Sequence, residues 1–553
     1  MILKWHKYWV VFFLVVALCL SIPIITNVYW QKNAPEGFWF TGFLQSDQIT
    51  YTALSRSVFE RGNGVAYSYP YAAPSDENAA VNFQIPFTLL AWLWKITGSI
   101  VISWEIIRLL FGAAFLFILY LTIWELFQSY FPDEQKEGRF GFYVNLVFVI
   151  LAFGGGIAWL ATLARFIGSK DSSFLAIFQK VEGVYHWWFL NLFRNIYYPL
   201  ELMYHAFFFL AIWGVLKKDF RLALVGQILA CASGVFVGIE ISGILIVYYL
   251  WEMARLKSRT SLKSFAGTLI VFALFANYYG VFLPRFPISK NLAEQHRVNI
   301  HDIIPMREYL AAYGLMLFAA FFALLKKDIR QNLLGREAGR LMFVWLIVVA
   351  ALVLNDKWLP AGRSLQPPHF TRGYLFSILT LIAACGFYPI WKSFAAKEKS
   401  RLIYVSTFLI LLFIPDNILF VAERLNETPH PMVLMIPNES RQLFDYLNTL
   451  KVQRTVFCPE RKLGDQIPAF TPHASILGQL YATPFNDEKS AMMERFFQGA
   501  DVDLFIKKYG IDLIVIGMRS AEYFDAMVRR PKWKRVYSNK LWTVYAIPAA
   551  EKS

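Results

Sequence analysis

Asp47 stands near the start of SDQITYTALSRSVFERGNG, residues 46–64, the most polar run in the first hundred residues. A carboxylate fixed in place can take the proton of an attacking hydroxyl. Read as a helix, the stretch has Ser46 as its N-cap and Asp47 in its first turn, and Gly62 and Gly64 end it. Asp47, Tyr51, Leu54 and Val58 then share one face. A first-turn acid also suits the positive end of the helix dipole, a role that needs no chemistry.

Other polar groups stand out against apolar surroundings. QKVEGVYHWWFLNLFRNIYYPLELMYH carries Glu182, His186, Arg194, Glu201 and His205. Glu201 and His205 are one helical turn apart, a spacing that suits either two metal ligands or a satisfied polar pair in the membrane. Its aromatics, Tyr197 and Tyr198 among them, suit either stacking on sugar rings or an interface belt. Glu240, in SGVFVGIEISG, falls in or near an apolar run, where an ionisable group is costly and suggests function. FGGGIAW lacks the Lys-Ser/Thr and the preceding strand of a nucleotide loop, so close helix packing or a bend explains Gly154–Gly156. No nucleotide motif is present, and no nucleotide cofactor is expected.

The elements that must position these groups are mostly membrane helices. Of 553 residues, 57% are hydrophobic and only 17% charged, against about a quarter in soluble domains. Apolar runs of spanning length occur at about 8–30, 104–127, 140–165, 199–216, 221–235, 237–254, 264–283, 307–325, 341–354, 372–391 and 402–421. The fold class is therefore a polytopic α-helical membrane protein of about eleven transmembrane helices.

With the N-terminus inside, the inner loops hold about 20 Lys and Arg in roughly 58 residues, the outer ones about 12 in roughly 146. That asymmetry accounts for the net charge of +15 without nucleic acid. It orients the chain with its N-terminus cytoplasmic and its C-terminal part extracytoplasmic, and the expected location is the cell (inner) membrane. The N-terminal run reads as an uncleaved first span. The four cysteines read as free. Residues 84–98, QIPFTLLAWLWKITG, are short for a span and read as an interfacial helix in a first outer loop of about 31–103.

Residues 1–425 thus form a transmembrane domain, and from 426 the composition is that of a small soluble α/β domain. There Leu443, Phe444, Leu447 and Leu450 have helical spacing, RTVFC and IDLIVIG read as buried strands, and WKRVYSNKLWTVYAI reads as a hairpin.

An acid shortly after the first span, an aromatic four residues on, a large first outer loop, many spans and an outer C-terminal domain together resemble the GT-C superfamily of integral-membrane glycosyltransferases. That superfamily includes oligosaccharyltransferases, protein mannosyltransferases and lipid A aminoarabinose transferases. The resemblance implies a sugar donor carried on a polyprenyl phosphate or pyrophosphate, with a glycan, lipid or protein as acceptor and membrane lipids as surroundings. It also implies that the first-loop acid, here Asp47, is catalytic. Many members have a second acid beside it. Gln48 stands there in this chain, which weakens a metal site built on an acid pair and leaves the need for a divalent metal open.

Such chemistry also needs fixed cationic groups to steady the departing lipid phosphate. NDKWLPAGRSLQPPHFTRGY offers Lys357, Arg363, His369 and Arg372. Arg372, at the outer boundary of a span, suits bidentate phosphate binding or a snorkelling anchor. Gln48, Tyr51, Glu182, Arg194, Glu201, His205 and Glu240 are supporting candidates. A lipid or polysaccharide transporter or flippase, and a polymerase or ligase of another membrane fold, are the alternatives. Transporters often show repeated halves and broken helices, and no repeated halves are visible.

Overall fold

The computed structural model describes residues 6–134, 138–169, 173–182, 191–257, 259–295, 306–360, 365–397, 399–426, 434–518, 524 and 530–548. The chain forms two compact units. One comprises Met1–Val28, Glu105–Phe275 and Arg297–Glu427, the other Tyr29–Trp104, Ala276–His296 and Thr428–Ser553.

The eleven expected apolar segments all fall in helices, two of them in helices broken at residues 154–157 and at Ile414. Among the described residues, six helices are long and apolar enough to cross a membrane by themselves: Trp9–Lys32, Ile100–Tyr130, Pro199–Leu216, Val235–Leu256, Arg259–Arg285 and Tyr374–Phe394. Two bent pairs raise the number to eight if each is one span: Phe140–Phe153 with Ala158–Gly168, bent by 62°, and Leu402–Phe413 with Pro415–Asn426, bent by 46°. The remaining expected segments lie in helices below this criterion, such as Phe220–Ser233. The protein is an integral membrane protein.

The two bends are bonded to each other, which accounts for FGGGIAW. The Gly155 N–H donates to the Phe413 carbonyl (2.6 Å), and a Cβ on Gly155 would lie 2.6 Å from that of Asp416. The Asp416 carboxylate accepts from the Trp159 (2.6 Å) and Ala158 (3.2 Å) N–H groups, capping the half-helix Ala158–Gly168 from outside. The Asn417 amide donates to the Phe153 and Gly154 carbonyls (2.8 and 2.9 Å). Backbone groups freed by the break are thus satisfied by side chains, as a broken helix in lipid requires.

In the second unit, β1 (Phe38–Phe40) pairs antiparallel with β2 (Met435–Pro437), joining the first loop to the chain beyond residue 434. Further strands are β3 (Thr455–Phe457), β4 (Ala474–Ser475), β5 (Leu513–Gly517), β6 (Lys534–Ser538) and β7 (Trp542–Ala546). They form a mixed sheet in the order β4-β3-β5-β7-β6, with β3 parallel to β4 and β5, and β7 antiparallel to β5 and β6.

The unbroken apolar run LIVIG is central because both its faces are covered. Ile514 and Ile516 pack with Phe496, Phe505 and Ile506, while Leu513 and Val515 pack with Leu443, Leu447 and Ile467. The hairpin turns at Asn539-Lys540, where the Asn539 carboxamide oxygen accepts from the Leu541 and Trp542 N–H groups. The helix Ile85–Thr97 has 13 residues, well short of a span. It buries Phe87, Leu90 and Ala91 and leaves Trp92 and Ile96 outside, as an interfacial helix would.

A buried ion pair joins the first loop to the helix Asn486–Phe497 within this unit. Lys489 Nζ lies 2.8 Å from Asp76 Oδ2 and donates to the Tyr71 carbonyl (3.2 Å). Removing one partner of a buried pair strands the other charge. Lys489→Met is therefore expected to cost about 3 kcal/mol in chemical denaturation. A Lys489→Met/Asp76→Asn double variant is expected to recover part of that.

Candidate active site

The opening stretch forms a helix over Asp47–Glu60. Its C-terminal end is as expected. Gly64 has φ of +85°, and its N–H donates to the Val58 carbonyl (2.9 Å). Its N-terminal end differs from expectation. Ser46 has helical dihedrals and makes no side-chain cap. The chain instead enters the helix through a turn at Gln45, and Gln48 reaches back so that its Oε1 accepts the Leu44 N–H (3.0 Å). Gln48 is buried with its Nε2 unsatisfied among the described residues, so it serves the loop entry.

Asp47 itself is half-buried on a helix whose next residues, Gln48–Thr50, are buried. Tyr51, one turn on, is half-buried with its ring 5.4 Å from that of Phe87.

Sequence reasoning missed the group facing this helix. Asp465, on the helix Arg461–Phe470, accepts from Thr50 Oγ1 (3.1 Å) and from the Tyr71 hydroxyl (2.5 Å). Gly478 permits the approach of Tyr71, since a Cβ there would lie 2.5 Å from the ring. Burial pushes the Asp465 carboxyl up to about 6. Hydrogen bonds from Tyr71, Thr50 and the Gln479 N–H oppose the shift, and the charge of Asp47 adds to it.

The folded state therefore holds this proton more tightly than the unfolded chain does. Stability is lost as pH rises from about 4 through about 6. Asp465→Asn is expected to melt like wild type near pH 4 and to be more stable at pH 7.5 by about 2 kcal/mol, partial exposure trimming the full effect.

A second group of candidates lies in the other unit. Arg372 and Gly373 both have positive φ (23° and 82°), just before the helix Tyr374–Lys397. The Pro367–Phe370 turn precedes them, as the proline pair dictates. A Cβ on Gly373 would lie 2.6 Å from Leu192, so the sharp entry depends on glycine.

Arg372 is buried rather than snorkelling. Its Nη1 pairs with Glu201, its Nη2 lies 2.9 Å from His369 Nδ1, and its guanidinium sits over the Tyr204 and Phe236 rings at 5.4 and 5.8 Å. His369 stacks on Phe236 at 4.3 Å. Glu240 is fully buried, within electrostatic reach of Arg372, and neither carboxylate oxygen has a hydrogen-bond partner among the described residues.

The Glu201–His205 spacing does not become a shared site. Glu201 turns to Arg372, whereas His205 Nδ1 lies 3.0 Å from the Tyr374 hydroxyl. Among the described residues no three His, Cys, Asp or Glu side chains are grouped as metal ligands. Arg194 stands apart from the Arg372 group: its Nε donates to Asn417 (2.8 Å) beside the helix breaks. Tyr197 and Tyr198 are buried and offer no open platform for a sugar. Lys357 is exposed and pairs with Asp356 (2.8 Å). Arg363, His186 and the side chain of Glu182 lie outside the described residues.

No protein-family model matches the chain, and comparison with curated proteins gives no match. Solved structures do match. The Archaeoglobus fulgidus oligosaccharyltransferase, in a complex with Zn and sulfate, aligns with a TM-score of 0.52 at 11% identity, over 96% of this chain and 73% of that one. ArnT from Cupriavidus metallidurans bound to undecaprenyl phosphate aligns with a TM-score of 0.47 at 14% identity, over 99% of both chains. At such identities the likeness is one of fold. Together with the apolar helices and the small C-terminal sheet, the alignment with the oligosaccharyltransferase gives the conclusion that the chain has a GT-C-like fold.

Proposed function

We propose that the protein is a glycosyltransferase that moves a sugar from a polyprenyl-phosphate or pyrophosphate carrier to a glycan, lipid or protein acceptor at the outer face of the membrane. The observation that carries the reading is Asp47: a half-buried carboxylate on a helix held by buried neighbours, in the first loop of a chain with a GT-C-like fold. Asp47 takes the acceptor hydroxyl proton as the oxygen attacks the anomeric carbon, and the carrier phosphate leaves.

Arg372 and His369 steady that phosphate in this reading, with Arg363 as a further candidate. Glu201 already holds Arg372, so an arriving phosphate shares the guanidinium with it or displaces it. Glu240 adds a second carboxyl near the same cation. The broken helices are the feature that favours a transporter. Asp416 and Asn417 fill the breaks, which supports a structural role for them instead.

The test is transfer by the purified protein from labelled polyprenyl-phosphate sugars, hexoses and pentoses in parallel, with native membrane extract as the acceptor source. Movement of label out of the carrier fraction is expected for at least one sugar. Label that crosses a vesicle membrane still joined to its carrier would favour the transporter.

A further inference from the structure

We infer that Asp465, 415 residues beyond Thr50 in sequence, is a positioning residue for Asp47 and sets how tightly the candidate base holds its proton. The inference rests on the glycosyltransferase reading of Asp47. The helices Asp47–Glu60 and Arg461–Phe470 pack together within one unit. Thr50, whose hydroxyl reaches the Asp465 carboxylate, follows Asp47 by three residues and so is its neighbour on the helix surface, about 5–6 Å between Cβ atoms. The charge of Asp47 is felt at Asp465.

The Tyr71 hydroxyl donates to Asp465 Oδ1, the oxygen that Thr50 also reaches at 3.1 Å, and lies 3.2 Å from the Asp465 carbonyl oxygen. The other charged groups nearby are committed elsewhere. Arg61, beyond Tyr71, donates to the Pro472 carbonyl (2.8 Å). Arg56, on the Asp47 helix, pairs with Glu60 and reaches the Ala469 carbonyl. Arg461, on the helix of Asp465 itself, is taken by Asn486 and Ser490.

Repulsion between carboxylates is mutual. With Asp465 ionised, Asp47 holds a proton more firmly and is the stronger base; with Asp465 protonated, it is the weaker one. The acceptor proton passes to Asp47 in both cases, and Asp465 changes only the driving force. The partial burial that raises the Asp465 carboxyl to about 6 makes this a change within reach of ordinary pH. The arrangement gives a single first-loop acid a carboxylate partner from a distant part of the chain, in place of the acid absent at Gln48.

The test is the pH profile of transfer by the full-length protein with labelled polyprenyl-phosphate sugar, for wild type, Asp465→Asn, Tyr71→Phe and Asp47→Asn. In wild type the rate should climb through a step near pH 6. Asp465→Asn should abolish the step and lower the rate at pH 7.5 by about three- to tenfold. Tyr71→Phe removes a donor to the Asp465 carboxylate and should move the step to higher pH, which keeps the test alive if Asp465→Asn does not fold.

A step that stays in place in Asp465→Asn, or in Tyr71→Phe where that variant alone folds, overturns the inference. If Asp47→Asn is inactive at the same time, the base reading stands without it. An Asp47→Asn protein as active as wild type overturns both.

Discussion

Asp47→Asn is expected to lower sugar transfer by about 10²–10⁴-fold, the range seen when a positioned general base is removed. The entry to the helix should survive the change. The helix is entered through the Gln45 turn and the Gln48 bond to Leu44, neither of which uses the Asp47 carboxylate. An acid at a helix N-terminus is itself favourable, by about 0.3–1 kcal/mol. A melting curve close to wild type together with lost transfer separates a chemical role from a structural one. Gln48→Ala is the converse control. It removes the side chain that ties down Leu44 and should cost about 1 kcal/mol of stability while leaving a carboxylate at 47. Carrier binding, read by retention of undecaprenyl phosphate, should persist in Asp47→Asn, because the substitution removes a proton acceptor and not a phosphate ligand.

The second large effect is expected at Arg372, where stability and binding are entangled. Arg372→Ala leaves Glu201 buried without its ion-pair partner, a situation that costs about 3–5 kcal/mol. Lost activity in that variant alone therefore says little. Arg372→Gln/Glu201→Gln removes both charges, keeps hydrogen-bonding groups in place, and should recover most of the lost stability. If Arg372 holds the carrier phosphate, the double variant stays weak in binding undecaprenyl phosphate, by about tenfold or more, since a charge-assisted bond contributes about 1.5–3 kcal/mol. If Arg372 only balances Glu201, the double variant binds like wild type. Glu201→Gln sharpens the contrast. Freed from its carboxylate, Arg372 should bind the phosphate more tightly, provided the variant folds.

The sequence carried the elements better than the site. Apolar length located the helices, because lipid tolerates few other backbones. The continuous run LIVIG read as a buried strand because both its faces are covered. The Asn539-Lys540 hairpin and the end of the Asp47 helix were legible from turn residues. Local pattern failed where a distant group decides the outcome.

Ser46 had the type of an N-cap, but the side chain of Gln48 provides the anchoring bond. Glu201 and His205 had the spacing of a ligand pair, but Arg372 and Tyr374 draw them to different partners. Arg372 looked like a membrane-edge anchor as much as a phosphate ligand, and Glu201 and two aromatic rings bury it. Asp465 gave no signal at all. Nothing in RKLGDQIPAF marks that aspartate as the one reaching Thr50, since only tertiary packing brings the two helices together. The pairing of Phe38–Phe40 with Met435–Pro437 is hidden for the same reason: strand pairing across such a separation leaves no local trace.

The most direct measurement is the fate of the carrier in one assay: release of undecaprenyl phosphate from its labelled sugar conjugate by purified wild type and by Asp47→Asn, at equal amounts of folded protein. Wild type should free the lipid phosphate in step with labelled acceptor, and Asp47→Asn should do neither at more than about a hundredth of that rate. Equal release and transfer by Asp47→Asn, or vesicle transport of the intact conjugate with no release by wild type, would contradict that expectation.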